Sequence, residues 1–198
     1  MPISAGSGTW YTTAMDIVEE HLLLALSTED FAAVEALSDV VYPPEVMAEV
    51  HIPASAPPPH LEWPAERAAR VFILRHDGQI VATSWFFPRR IHTSRGPLDV
   101  LALAGVKTRP EFRGRGLGRR IVRAALEYVD RGTFPVSLFQ TNVPEFYEKL
   151  NARRVENPFT NRLAADPAAT PWWDRFVMIY PARYPWPEGP IELQGPGW

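Results

Sequence analysis

Residues 106–120 read Val-Lys-Thr-Arg-Pro-Glu-Phe-Arg-Gly-Arg-Gly-Leu-Gly-Arg-Arg, and this stretch constrains the fold more than any other. A strand-like segment runs into a basic turn with glycines at 114, 116 and 118, and a helical apolar pattern follows at once. The core of the turn is Arg113-x-x-Gly116-x-Gly118. Glycine lets the backbone approach a ligand closely. The first turn of a helix carries free N–H groups and a positive end, which together suit a pyrophosphate. Arg115, Arg119 and Arg120 add charge. The competing reading is an ordinary loop whose arginines are solvated. A dinucleotide site would place its glycines after the first strand of a βαβ unit, with an acidic residue about 20 positions on. Here the turn comes past mid-chain, after segments that read as antiparallel strands. No Gly-Lys-Ser/Thr ends the turn, so it is not a P-loop.

Composition removes several function classes. A length of 198 residues suits one domain, and 46% hydrophobic residues supply a core. The net charge of −3 argues against general nucleic-acid binding, and the arginine cluster is local. There is no cysteine, so disulfides, thiolate zinc sites and cysteine nucleophiles are excluded. The five histidines show no metal-ligand spacing, so no metal is expected. No apolar run is long enough to span a bilayer. The N-terminus lacks the basic and apolar regions of a signal peptide, and a cytoplasmic protein with no membrane partner is expected.

A second segment, Asn142-Val-Pro-Glu-Phe-Tyr-Glu-Lys-Leu-Asn-Ala152, reads as a helix. Asn142 is expected to cap it, with Glu145 completing a capping box. Pro144 is tolerated in the first turn, and Asn151 can take the left-handed conformation at the end. An amphipathic core helix would show the same pattern, but it would not explain the pairing with the glycine turn. The two segments in this order resemble the acyl-CoA turn and the Asn/Phe-Tyr helix of the GNAT superfamily (GCN5-related N-acetyltransferases). Between Trp63 and Gly118 the chain is distantly similar to the aminoglycoside 2′-N-acetyltransferases of that superfamily.

The remaining elements follow from periodicity and turn chemistry. Residues 1–9 read as a flexible terminus. Residues 17–26 read as a strand, with helix as the rival. A helix is expected from Thr28 to about Val41, with Phe31, Val34, Leu37 and Val41 on its apolar face. A short helix over 43–51 and a proline-rich loop over 53–64 come next. Arg70–Arg75 and Gln79–Phe87 form a hairpin around Asp77-Gly78. Leu98–Thr108 is the strand before the glycine turn, 117–131 a helix with Gly132 after it, and Phe134–Gln140 a strand. Segments 152–156 and 174–180 close the sheet, and 181–198 forms a Pro/Gly/aromatic tail. The expected class is α/β, one domain over 1–198 with a central mixed sheet flanked by helices, as in the GNAT acyl-CoA N-acyltransferase fold.

The resemblance implies acetyl-CoA as acyl donor, lying where the strand before the turn splays from strand 134–140. Val106, Lys107 and Thr108 would pair with the pantetheine arm. Arg113, Gly114, Arg115, Gly116, Leu117, Gly118 and Arg119 would hold the pyrophosphate, and Asn142 joins this cofactor-binding set. Tyr147 matches the family's general acid for the departing thiolate. Relatives often carry a glutamate base on the strand before the turn, but here the matching residue is Ala104. Asp99, Glu35 and Asp39 are candidate substitutes. Trp63, Trp85, Trp172, Trp173, Trp186 and Trp198 are core candidates, of which a few could wall an acceptor pocket. The tail is expected either to close the acceptor side, offering Glu188 and Glu192 to a cationic amine, or to pack behind the domain. The implied activity is N-acetyl transfer to a primary amine of a small molecule. A protein lysine or N-terminal substrate and a non-catalytic acyl-CoA-binding module are the alternatives. The sequence leaves a homodimer open.

Overall fold

The computed structural model describes residues 17–42, 63–167 and 169–198. The expectations for residues 1–9 and 43–51, and most of the proline-rich loop, lie outside these. The described elements run β1 (Val18–Leu22), α1 (Thr28–Val41), β2 (Arg70–His76), β3 (Gln79–Thr93), β4 (Gly96–Thr108), α2 (Leu117–Asp130), β5 (Ser137–Thr141), α3 (Pro144–Glu148), β6 (Arg153–Val155), β7 (Phe159–Thr160), β8 (Phe176–Tyr180) and β9 (Ile191–Glu192). The sheet order is β1-β2-β3-β4-β5-β8-β6, with β9 bridging β3 and β7. The β4–β5 pair is parallel, while β1 to β4 and β5-β8-β6 are antiparallel. This is the mixed sheet expected.

Strand alternation sends side chains to two faces. Phe72 and Leu74 of β2, Leu101 and Leu103 of β4 and Phe139 of β5 pack under Leu117, Ile121, Val122, Ala125, Leu126 and Val129 of α2. That helix is cut off by Gly132 at φ 80°, where only glycine is unstrained. The opposite face is covered in two halves. Val34 and Leu37 of α1 cover Val71, Ile73 and Ile80. Over β4, β5 and β8, the cover comes from Trp172, Trp186, Ile191, Leu193 and Trp198. The C-terminal segment therefore serves as core material. Each large side chain it buries contributes about 1.5–3 kcal/mol.

Several expectations are corrected. Phe31 lies on the outer side of α1 and is 48% exposed. Helix α1 itself starts at Thr28 as expected, and Ser27 caps it by accepting from Asp30 N at 3.0 Å. The β3–β4 hairpin is longer than read, because Pro88 pairs with Leu101 inside the ladder and β3 continues to Thr93. β5 begins at Ser137, not Phe134, and β7 and β9 were not anticipated. Asn142 does not cap α3. The cap position is Val143, with no side-chain cap bond, so Asn142 and Glu145 form no capping box. Asn151 is left-handed, at φ 70°.

Candidate active site

The cleft originates in strand separation. β4 and β5 pair only at Leu101↔Ser137 and Ala102↔Leu138. Beyond these residues the two strands diverge, and β5 continues to Thr141 against β8. On its other edge β4 is irregular. Trp85 faces Ala104 and Thr83 faces Lys107, so Gly105 and Val106 together oppose Ser84. This two-against-one arrangement is a β-bulge, which re-aims the strand. Gly105 sits at φ 56°, and a Cβ there would lie 1.3 Å from Trp85 Nε1. The Thr83 hydroxyl donates to Gly105 O at 3.2 Å, which fixes the bulge.

The strand then delivers the glycine turn. Arg113 N donates to Pro110 O and Arg120 N to Gly116 O, each at 3.1 Å. The amides of Gly114, Arg115, Gly116, Leu117, Gly118 and Arg119, which lie between, have no hydrogen-bond partner among the described residues. Gly114 and Gly116 hold φ values of 78° and 80°, with nothing within 4 Å of where a Cβ would stand. Glycine is needed there for conformation, not for space. Gly118 differs: its Cβ would meet Thr108 Oγ1 at 3.3 Å and Phe146 Cζ at 3.7 Å, so it seats α2 against β4 and α3. Arg113, Arg115 and Arg119 are exposed, and none has a carboxylate partner among the described residues. Arg113 Nε donates to Thr108 O at 3.3 Å, and the Arg115 guanidinium lies 4.9 Å from the Phe112 ring centre. Leu117 turns into the core, so only its amide faces this site. A run of open amides beside guanidiniums that have no carboxylate partner among the described residues fits a phosphate-bearing ligand.

Of the β4 residues named from sequence, Val106 packs toward α2 and Thr108 ends the strand. Lys107 points to the other face, where its Nζ donates to Ser38 Oγ and lies 5.9 Å from the Trp85 ring centre. Burial pushes the Lys107 ammonium below its usual range, partly opposed by Glu35 and Asp39. The Lys107 side chain is therefore an α1 contact.

Tyr147 lies under α2, 5% exposed, with its ring 4.6 Å from Phe139 and 4.8 Å from Phe146. No described residue hydrogen-bonds its hydroxyl. Burial pushes the phenol well above its ordinary value, and the charges of Tyr42 and Asp174 push further. Burial also raises Tyr42, with Asp174 adding to it and Arg113 opposing. Tyr42 ends α1, Asp174 precedes β8 and Tyr147 is on α3, so these mutual charge effects bring three elements together at the mouth of the cleft.

Asn142 lies at the same mouth. Its Nδ2 donates to Asp174 Oδ1 at 2.5 Å, and its Oδ1 accepts from Arg175 N at 2.9 Å. It thus ties β5 to the segment before β8 and turns its amide away from α3. Asp174 itself was missed from sequence. Its only sequence signal was its place beside Trp172-Trp173, in a segment read as a closing strand.

The candidate bases from sequence are engaged elsewhere. Asp99 receives Arg90 Nε and Arg67 Nη1, each at 2.7 Å, and these bonds, Arg90 first, hold its carboxyl below the usual range. It stands near the start of β4, far from the bulge. Glu35 and Asp39 are exposed on α1. Glu192 is occupied by Thr160 Oγ1, Arg162 N and Gln194 N. Burial pushes its carboxyl up, but these donors outweigh burial and keep it low. Ala104 faces Trp85 and packs partly against the tail's cluster. Trp63 lies 5.5 Å from the Arg90 guanidinium. Among the described residues no group of His, Asp or Glu is placed to hold a metal ion, and no helix is long and apolar enough to cross a membrane.

The sequence profile of the acetyltransferase (GNAT) domain matches residues 25–155. No curated protein matches the chain. Solved structures share the fold at low identity. A GNAT-family N-acetyltransferase, YhbS from Escherichia coli in complex with CoA, superposes with a TM-score of 0.56 at 12% identity, covering 90% of this chain and 89% of that one. An acyl-CoA N-acyltransferase from Pseudomonas aeruginosa gives 0.54 at 14%, over 83% and 98%. Escherichia coli ElaA gives 0.52 at 14%, over 83% and 99%.

Proposed function

This chain belongs to the GNAT acetyltransferases, and we propose that it transfers an acetyl group from acetyl-CoA to the primary amine of a small molecule, inside the cell. The observation that carries this reading is the row of open amides at Gly114–Arg119, set where β4 has parted from β5. The pyrophosphate would lie on those amides, with Arg113, Arg115 and Arg119 adding charge. The pantetheine arm would run along Val106, Lys107 and Thr108 like an added strand. Holding the amine and the thioester in one cleft supplies much of the rate by proximity. A β4 amide near Val106 would polarise the thioester carbonyl. The C–N bond forms as the C–S bond breaks, and the departing thiolate takes a proton.

Tyr147 is the proposed donor of that proton. Its phenol, raised by burial, stays protonated across the neutral range, so its O–H is available to the leaving sulfur. A small acceptor is favoured over a protein one because the aromatic C-terminal segment covers the sheet face beside Ala104. Release of CoA from acetyl-CoA in the presence of a panel of primary amines tests the reading. Binding of acetyl-CoA without release in the whole panel would instead mark a non-catalytic module. Tyr147→Phe keeps the ring and is expected to lower kcat about 10- to 1,000-fold with acetyl-CoA affinity unchanged. An unchanged kcat in a chemistry-limited assay would return Tyr147 to a packing role.

A further inference from the structure

The family's glutamate position is Ala104 in this chain, so the protonated amine needs another acceptor for its proton. We propose that Asp174 binds the acceptor's ammonium group and takes its proton before attack. This rests on the acetyl-transfer reading above.

Asp174 is placed with unusual care. Its backbone N donates to Gln140 Oε1 at 2.8 Å, beside the Trp173 N bond to the same oxygen at 2.9 Å. Its carboxylate accepts from Asn142, which in turn holds Arg175 N. Gln140 at the β5 end thus holds the Asp174 backbone, and Asn142 just beyond it holds the carboxylate at the cleft mouth. One oxygen is positioned by Asn142 Nδ2, and no second donor is found for the carboxylate among the described residues.

Among the described residues Asp174 has no lysine, arginine or histidine partner. The Arg175 guanidinium, next in sequence, lies 5.1 Å from the Phe176 ring centre. The titratable groups that face it are Tyr42 from the end of α1 and Tyr147 from α3, and Arg113 acts on Tyr42 from the glycine turn. Burial raises the carboxyl with no charge to offset it. A half-buried carboxylate without a counter-ion is costly unless something supplies one. An ammonium supplies it. Asp99 and Glu192 are bonded elsewhere, Glu35 and Asp39 are exposed on α1, and Glu188 is exposed in the C-terminal segment.

The protons balance. The ammonium gives one proton to Asp174, and the nitrogen lone pair attacks the thioester carbon. The second proton leaves as the C–S bond breaks and reaches the sulfur by way of the Tyr147 hydroxyl. Asp174 then returns its proton to water. The products are the N-acetyl amine, CoA thiol and one proton.

Asp174→Asn is the test, because it keeps an oxygen for Asn142 and removes only the charge. The probes are acetyl-CoA with 2-phenylethylamine, putrescine and gentamicin. In the parent, kcat/KM for the amine is expected to stay level between the carboxylate's pKa and the amine's own. In the variant it should fall about 100-fold at pH 7 and climb about tenfold per pH unit toward the amine's pKa. Acetyl-CoA affinity by calorimetry should be unchanged, and Asp174→Glu should restore part of the rate and the level profile. A variant with the parent's rate and profile overturns the assignment of Asp174 alone. So does loss of acetyl-CoA binding in Asp174→Asn, which would make the side chain structural. A parent enzyme that binds acetyl-CoA but acetylates none of the amines removes the transfer reading, and this assignment with it.

Discussion

The Trp198 indole donates to Leu138 O at 3.0 Å, and Leu138 is the last residue of β5 that pairs with β4. The carbonyl that faces the parting of the strands is thus satisfied by the far end of the chain. Gln140 Nε2 donates to Trp198 O at 2.8 Å and continues the tie along β5. The ring stands edge-on to Trp172 at 5.0 Å and to Phe87 at 5.8 Å, with the Arg89 guanidinium 5.6 Å from its centre.

Trp198→Ala should therefore lower stability by about 3–5 kcal/mol, the range for removing a large buried aromatic. Thermal unfolding measures it. A loss below about 1 kcal/mol would place the ring outside the core. Removing residues 185–198 altogether would also strip Ile191 and Leu193, both fully buried, and the β9 ladder. That deletion is expected to unfold the protein and so cannot separate a pocket role from a core role.

Gly105 offers a sharper probe of the cleft. Its φ of 56° is strained for other residues, and the Trp85 ring occupies the place of a Cβ. Gly105→Ala must displace the indole or undo the bulge. A stability loss of about 2–4 kcal/mol is expected, from overpacking and left-handed strain together. Acetyl-CoA affinity should weaken with it, because the bulge aims the edge of β4. A variant with parental melting temperature and affinity would mean that the bulge does not shape the site.

What could be read from the sequence was local. Asp77-Gly78, the spacing of Ile121, Val122, Ala125 and Val129, and the glycines at 114, 116 and 118 each encode their own backbone. The turns and α2 formed as read. Missed features depended on distant partners. Asn142 looks like a cap in sequence, yet Asp174 and Arg175 recruit its amide from 32 and 33 residues away. The strand read as ending at Phe87 continues through Pro88, which pairs with Leu101 in the long β3 ladder. β9 is two residues long, and its pairing with His92 and Phe159 leaves no periodic signal. The tail's aromatic content was visible, whereas the face it covers was set only by the sheet.

Asp99 gives a pH prediction. Its folded pKa is depressed, chiefly by the Arg90 bond, with Arg67 assisting. A group of this kind contributes stability that is present above its unfolded value, 3.8, and lost as pH falls through the lower folded value. Asp99→Asn should lower the melting temperature at pH 7 and have less effect near pH 2. Its kcat with primary amines should stay within about twofold of the parent, since the carboxylate is bound at the far end of β4. A large fall in kcat with normal stability would instead restore Asp99 as the base.

The glycine turn can be tested without any acceptor. Gly116 caps α2 at φ 80°, with open space beside it. A bulky residue there would strain the backbone by about 1–3 kcal/mol and stand over the open amides. A side chain at Gly118 would press on Thr108 and Phe146 and tilt the helix start. Gly116→Val with Gly118→Leu should weaken acetyl-CoA binding by at least about tenfold, because both the amide row and the helix end lose their aim. CoA itself should compete with acetyl-CoA in the parent and lose affinity in step in the variant, since the two share the pyrophosphate. Calorimetry at two salt concentrations adds a second reading. Raising the salt should weaken parental binding, because Arg113, Arg115 and Arg119 are exposed cations. A folded double variant that binds both ligands as tightly as the parent would put the acyl-CoA site elsewhere in the chain.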